Sequence, residues 1–174
     1  ELMLNLGKIT PNPDNADDTT PENFAVTIDK IEIYEISGEE HQVPVYTSDF
    51  ADADESAVTV AAGDGAAATA AAESGAATVS IESYPSDGGV WSIKADIALP
   101  GVSVAAGTKY YYSFDLTAKN AQSAECLIES ASLADQSRAN FNGISIEAGE
   151  TKTIAAAFVA EANVTDPVIR LQLG

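Results

Sequence analysis

Surface chemistry needs groups that trade protons, attack as nucleophiles, hold metals or stack on ligands, and the 174-residue chain supplies these unevenly. Carboxylates are abundant: 27 Asp and Glu stand against 8 Lys and Arg, for a formal net charge of −19. A glycosidase needs only two carboxylates about 5–10 Å apart, so in so acidic a chain a carboxylate pair says little. Other catalytic groups are scarce. His41 is the single histidine and Cys126 the single cysteine. No Gly-x-Ser-x-Gly elbow, glycine-rich phosphate loop or His/Cys metal spacing occurs. A thiol nucleophile needs a base beside it, whereas Cys126 is followed by Leu127 and Ile128 and reads as a buried apolar filler. The chain is expected not to be an enzyme.

What remains is stacking and hydrogen bonding. Trp91 is the only tryptophan, and a rigid aromatic plane gains contact area at little entropy cost. Strict alternation puts Trp91 on the face of Ile93 and Ile97, so a ligand platform and a core side chain both stand open. Phe141 lies between Arg138-Ala139-Asn140 and Asn142-Gly143, a turn-rich setting where the core explains an aromatic less readily. Tyr84 precedes Pro85, and Tyr111 falls on the outward side of its own run. Gln172 offers both a donor and an acceptor, and Arg170 and Glu125 are further polar candidates.

The charge narrows the partners. A surface with this excess of carboxylates repels phosphate backbones and anionic lipid, which excludes nucleic acid and membrane surfaces. Acidic polysaccharides are excluded for the same reason, while neutral ligands and cations such as calcium stay open. No apolar run approaches the roughly 20 residues of a membrane span. There is also no basic segment followed by an apolar one, as a signal peptide would have. Glu1 falls within a strand-like segment, as expected of a piece cut from a longer protein.

The elements that must position these residues are strands. Apolar and polar residues alternate through Phe24-Val26-Ile28, Trp91-Ile93-Ala95-Ile97, Tyr110-Tyr112-Phe114-Leu116, Ile144-Ile146 and Ile169-Leu171-Leu173. Turn signals separate the runs at Ser86 to Gly89, Pro100-Gly101, Ala106-Gly107 and Asn142-Gly143. This spacing predicts an all-β sandwich of two antiparallel sheets. The alanine-rich stretch 60–77 reads as a loop between short strands, with a helical turn near 66–73, because glycines interrupt it and no wide apolar stripe forms. Alternation slips by one between Ile28 and Ile31, which predicts a bulge at Asp29-Lys30.

The chain opens with Leu4-Asn5-Leu6-Gly7 and closes with Leu171-Gln172-Leu173-Gly174. This duplication predicts that residues 1–37 close a module, or are the tail of a preceding copy. Residues 38–42 then form a polar linker and residues 43–174 the body. The redundant copy also opens the possibility of strand exchange with a neighbouring molecule.

From Trp91 onward the order of features resembles carbohydrate-binding modules of families 4, 9, 16 and 22. The likeness rests on Val90-Trp91-Ser92-Ile93-Lys94, on Gly107-Thr108-Lys109-Tyr110-Tyr111-Tyr112-Ser113-Phe114, on the strand Glu125 to Ser130 and on the Leu-x-Leu-Gly end. The Ile-Asp-x-Ile strand that closes such modules is present as Ile28-Asp29-Lys30-Ile31, but it precedes the body. The resemblance implies a jelly-roll sandwich that binds a neutral β-glycan such as xylan, β-glucan or cellulose oligomers. It further implies a secreted or cell-surface bacterial protein that targets an attached glycoside hydrolase. Trp91, Phe141, Tyr84 and Tyr111 would line the groove, with Gln172, Arg170 and Glu125 as polar partners. A structural calcium would be held by Asp29 together with Asp49 or Asp52. The rival expectation is a structural spacer or adhesin-type sandwich without a sugar ligand.

Overall fold

The computed structural model describes residues 24–36, 42–50, 58–73, 75–84, 89–132 and 138–174. Their strands are β1 (Phe24–Ile36), β2 (Gln42–Ser48), β3 (Val58–Ala62), β4 (Ala67–Glu73), β5 (Ala76–Ser83) and β6 (Ile93–Ala98). The remainder are β7 (Lys109–Ala118), β8 (Gln122–Ser130), β9 (Arg138–Ile146), β10 (Thr151–Val159) and β11 (Pro167–Gln172). The only helical piece among the described residues is one 3₁₀ turn, Val90–Ser92.

Two antiparallel sheets form the expected sandwich. One runs β10-β7-β1-β5-β4, with β2 also paired to β1; the other runs β3-β6-β11-β8-β9. The winding is jelly-roll-like. β4 pairs β5 in the first sheet while β3 pairs β6 in the second, and β7 pairs β10 in the first while β8 pairs β9 in the second. These nested pairs are joined in the middle of each sheet by β1, between β5 and β7, and by β11, between β6 and β8.

Alternation places the core as the sequence reading expects. Tyr112, Phe114 and Leu116 of β7 point inward at 0–2% exposure, and Tyr111, Ser113, Asp115 and Thr117 lie half-buried on the opposite side. Ile93, Ala95 and Ile97 of β6 and Ile169 and Leu171 of β11 meet them from the other sheet, all at 0%. Cys126 is fully buried in the same core. Burial pushes its thiol up to about 12, with a Tyr112 hydrogen bond opposing the rise, so it stays protonated and inert at neutral pH. The β1 ladder with β7 slips between Ile28 and Ile31, so a bulge occurs where the alternation slips.

Three local expectations are corrected. The 66–73 stretch is no helical turn: it is β4, with Ala68, Ala70 and Ala72 packed against the core and Thr69 and Ala71 exposed. Pairing with β5 on one side and period-2 burial outweigh the helix propensity of alanine, which tertiary context readily overrides. Asn142-Gly143 is not a turn, because both residues lie inside β9 and pair with Cys126 and Glu125. Phe141 therefore sits in a strand, opposite Leu127, and not in a loop. Trp91, expected to head a strand, instead occupies the 3₁₀ turn before β6. The predicted linker residues 38–41, including His41, and the Leu4-Asn5-Leu6-Gly7 copy lie outside the described residues, and Gln42 begins β2.

Candidate ligand-binding site

The candidate site is built where β5 ends, β6 begins and β11 runs out. Ser92 N–H donates to Gly89 O at 2.9 Å, which closes the turn that carries Trp91. Alternation is lost at this turn, and with it the core alternative for Trp91: the side chain is 60% exposed. The β3–β4 turn buttresses it from one side. Gly63 N–H donates to Ser92 O at 2.8 Å and Ser92 Oγ donates to Asp64 Oδ2 at 2.8 Å. From the other side Gly174 N–H donates to Val90 O at 3.0 Å, and Ile93 N–H donates to Gly174 O at 3.0 Å.

Tyr84 belongs to this end as well. One edge of its ring abuts Gly174, where an added β-carbon would come within 2.6 Å of Cε1 and 2.7 Å of Cδ1. Its hydroxyl donates to Gln122 Oε1 at 3.0 Å. Gln122 is itself buried and passes its amide protons to the carbonyls of Leu173 and Ser123. Burial raises the Tyr84 hydroxyl well above the ordinary phenol range, so it remains a neutral donor. Gly174, just past β11, thus touches both Tyr84 and Val90, the neighbour of Trp91.

The polar candidates fare differently. Arg170 points to the outer side of the five-stranded sheet yet is only 5% exposed. Its guanidinium donates Nε and Nη2 to Asp96 at 2.6 Å each and Nη1 to Glu129, which is 1% exposed. The hydrogen bond to Asp96 raises the guanidinium pKa further, burial opposes it, and the charges of Asp96 and Glu129 add to the rise. Gln172 is 7% exposed, in register with Lys94 on one side and half-buried Glu125 on the other. These groups share a face with one another but are largely taken up by protein partners and burial.

The remaining candidates are scattered. Tyr111 sits half-buried on the outer side of the other sheet, in register with Ala157. The side chains of Phe141 and Asp29 and the whole of Asp52 lie outside the described residues. Asp49 is exposed, one residue after Ser48, which pairs with Ile31 beside the β1 bulge. Among the described residues no cluster of three His, Cys, Asp or Glu side chains gathers around a point. Nor does any helix there have the length and apolarity to cross a membrane.

The sequence offered Trp91 and Tyr84 as candidates but did not point to Gly89, Asp64, Ser92 and Gln122, which contact them or their turn. The Asp64-Gly65 pair was a readable turn signal; nothing local tied it to Trp91, 27 residues on. No family model matches the chain, and no curated protein is significantly similar to it.

Proposed function

We propose that the protein is a non-catalytic carbohydrate-binding module that engages a neutral β-glycan at the Trp91 end of the sandwich. One observation carries this reading: the only tryptophan is 60% exposed on a turn pinned by hydrogen bonds on both sides. An aromatic plane of this kind suits the apolar face of a pyranose ring. Tyr84 flanks the same end. The excess of carboxylates favours a neutral sugar over an acidic one. The module would hold an attached glycoside hydrolase near its substrate outside a bacterial cell, an effective-concentration effect rather than chemistry. Strand exchange with a second copy through the duplicated Leu-x-Leu-Gly segment belongs to the same reading.

Calcium is proposed as a structural partner. Ile31, two residues after Asp29, pairs with Ser48 next to Asp49, and Phe50 turns there with φ +53, its carbonyl accepting from Gly75 N–H at 3.3 Å. Carboxylates from Asp29, Asp49 and Asp52 with turn carbonyls are the hard oxygen donors this cation takes. A melting temperature that falls with chelator and recovers with calcium supports it; indifference to both removes it.

Affinity electrophoresis on xylan, mixed-linkage glucan and hydroxyethyl cellulose tests the main proposal. Retardation that disappears in Trp91→Ala, a loss of about 2 kcal/mol as for a seated aromatic anchor, is expected. Equal mobility of the native chain on all of these gels sinks it. The second reading, a spacer or adhesin-type sandwich, is favoured by the outer side of the five-stranded sheet, where Arg170, Glu129 and Gln172 are buried rather than free for sugar hydroxyls.

A further inference from the structure

We propose that Gly89 and Asp64 are positioning residues that fix the Trp91 indole in a single pose, one face closed and the other offered to ligand. The ligand's identity rests on the glycan reading above; the pose does not.

Gly89 has φ −98 and ψ −179, extended backbone that any residue adopts. Conformation therefore gives no reason for glycine. Space does: a β-carbon there would overlap Cη2, Cζ2 and Cζ3 of Trp91, so the six-membered ring of the indole lies directly over the Gly89 α-carbon. The residue is nonetheless 60% exposed. One face lies against the Gly89 backbone, and most of the residue's surface is open to solvent.

Asp64 acts on the turn, through Ser92. It holds φ +54, left-handed backbone that Asp tolerates, and is followed by Gly65 at φ +82. Ala66 N–H donates to Gly63 O at 2.9 Å, so residues 63–66 form a tight turn. That turn aims the Asp64 carboxylate at Ser92 Oγ, 2.8 Å away, and Gly63 N–H at Ser92 O. Ser92, next to Trp91, is 5% exposed and immobilised, while Val90 on the other side is tied to Gly174. A ring fixed before binding loses less rotamer freedom when a sugar arrives, which is how preorganisation raises affinity.

Trp91 is the only tryptophan, so its fluorescence reports the pose without any ligand. Gly89→Ala should shift the emission to the red, make acrylamide quenching easier and weaken the near-ultraviolet circular dichroism of the indole. Continued protection of the Cys126 thiol would show that the fold survives. Asp64→Ala should move the same signals, and Asp64→Asn, which keeps an oxygen for Ser92 Oγ, should restore them. On whichever glycan the native chain binds, Gly89→Ala should lose about tenfold in affinity, the equivalent of about 1.4 kcal/mol. Unchanged emission and quenching in a folded Gly89→Ala overturn the pose; if that variant unfolds, the Asp64→Ala and Asp64→Asn pair decides. Undiminished glycan affinity despite a spectral shift overturns the positioning role. A spectral shift in a chain that binds no glycan at all supports the pose and removes the glycan reading instead.

Discussion

Arg170 and Trp91 lie on the same sheet and its leading turn, yet the fold treats them in opposite ways. A guanidinium is withdrawn almost wholly from water, and a large aromatic ring is left in it. Transfer free energies alone would reverse both placements, since burying an ion costs several kcal/mol and burying a ring is favourable. The difference lies in the backbone. Arg170 is on β11, the middle strand of five, with β6 and β8 on its flanks supplying Asp96 and Glu129. Trp91 is on the 3₁₀ turn immediately ahead of β6, beyond the paired stretch of that strand. The charged face is closed by its own partners, and the aromatic end stays open to solvent.

The largest test of this contrast is Arg170→Met. It removes the cation beside Glu129 and Asp96 and should cost about 3–5 kcal/mol in guanidinium unfolding, as breaking a buried pair does. A loss below about 1 kcal/mol, the value of an exposed pair, would mean that the face is wetter than its exposure indicates. The core behind that face is probed by Cys126. Its thiol should resist Ellman's reagent at pH 8 in the native protein and react fully in denaturant; prompt native labelling would show that the sandwich opens there. Trp91→Ala should leave unfolding free energy within about 0.5 kcal/mol of the native chain, since the ring is largely outside the core. A larger loss would make Trp91 a structural residue and erase the contrast.

The smallest expected effect lies at Asp166, which accepts from Ser130 Oγ at 2.6 Å and from Ser132 Oγ at 2.6 Å. The Ser130 bond, then the Ser132 bond, hold its carboxyl below the usual range. A folded-state pKa below the unfolded value of about 3.9 contributes stability that is present above that pH and is lost as pH falls through the lower folded value. Asp166→Asn should flatten the melting temperature profile slightly between about pH 5 and pH 2. An unchanged acid limb would show that these hydrogen bonds do not favour the ionised form.

Much of the sandwich was legible because period-2 alternation maps directly onto which side of a sheet is covered. Tyr110 to Thr117 and Ile93 to Ile97 follow it residue by residue. The bulge at Asp29-Lys30 was legible for the same reason, as a slip in that period. Ala67–Glu73 was not, because alanine carries little contrast between faces and its strand state comes from pairing with β5. Phe141 was misplaced because Asn142-Gly143 has turn chemistry, which pairing to Cys126 and Glu125 overrides. Trp91 was left open because alternation alone says nothing of where a strand gives way to a turn.

By itself the sequence determined the two-sheet strand class, the inward faces of the strongly alternating strands, the inert thiol of Cys126 and the acidic surface, all of which depend on composition and near-neighbour spacing. Only the tertiary structure decided that Arg170 is occupied by Asp96 and Glu129, 74 and 41 residues away. It alone decided, too, that Asp64 and Gly89 frame Trp91. Contacts of that kind depend on which strands become neighbours, and strand order is fixed by closing two sheets over one core rather than by any local run of residues.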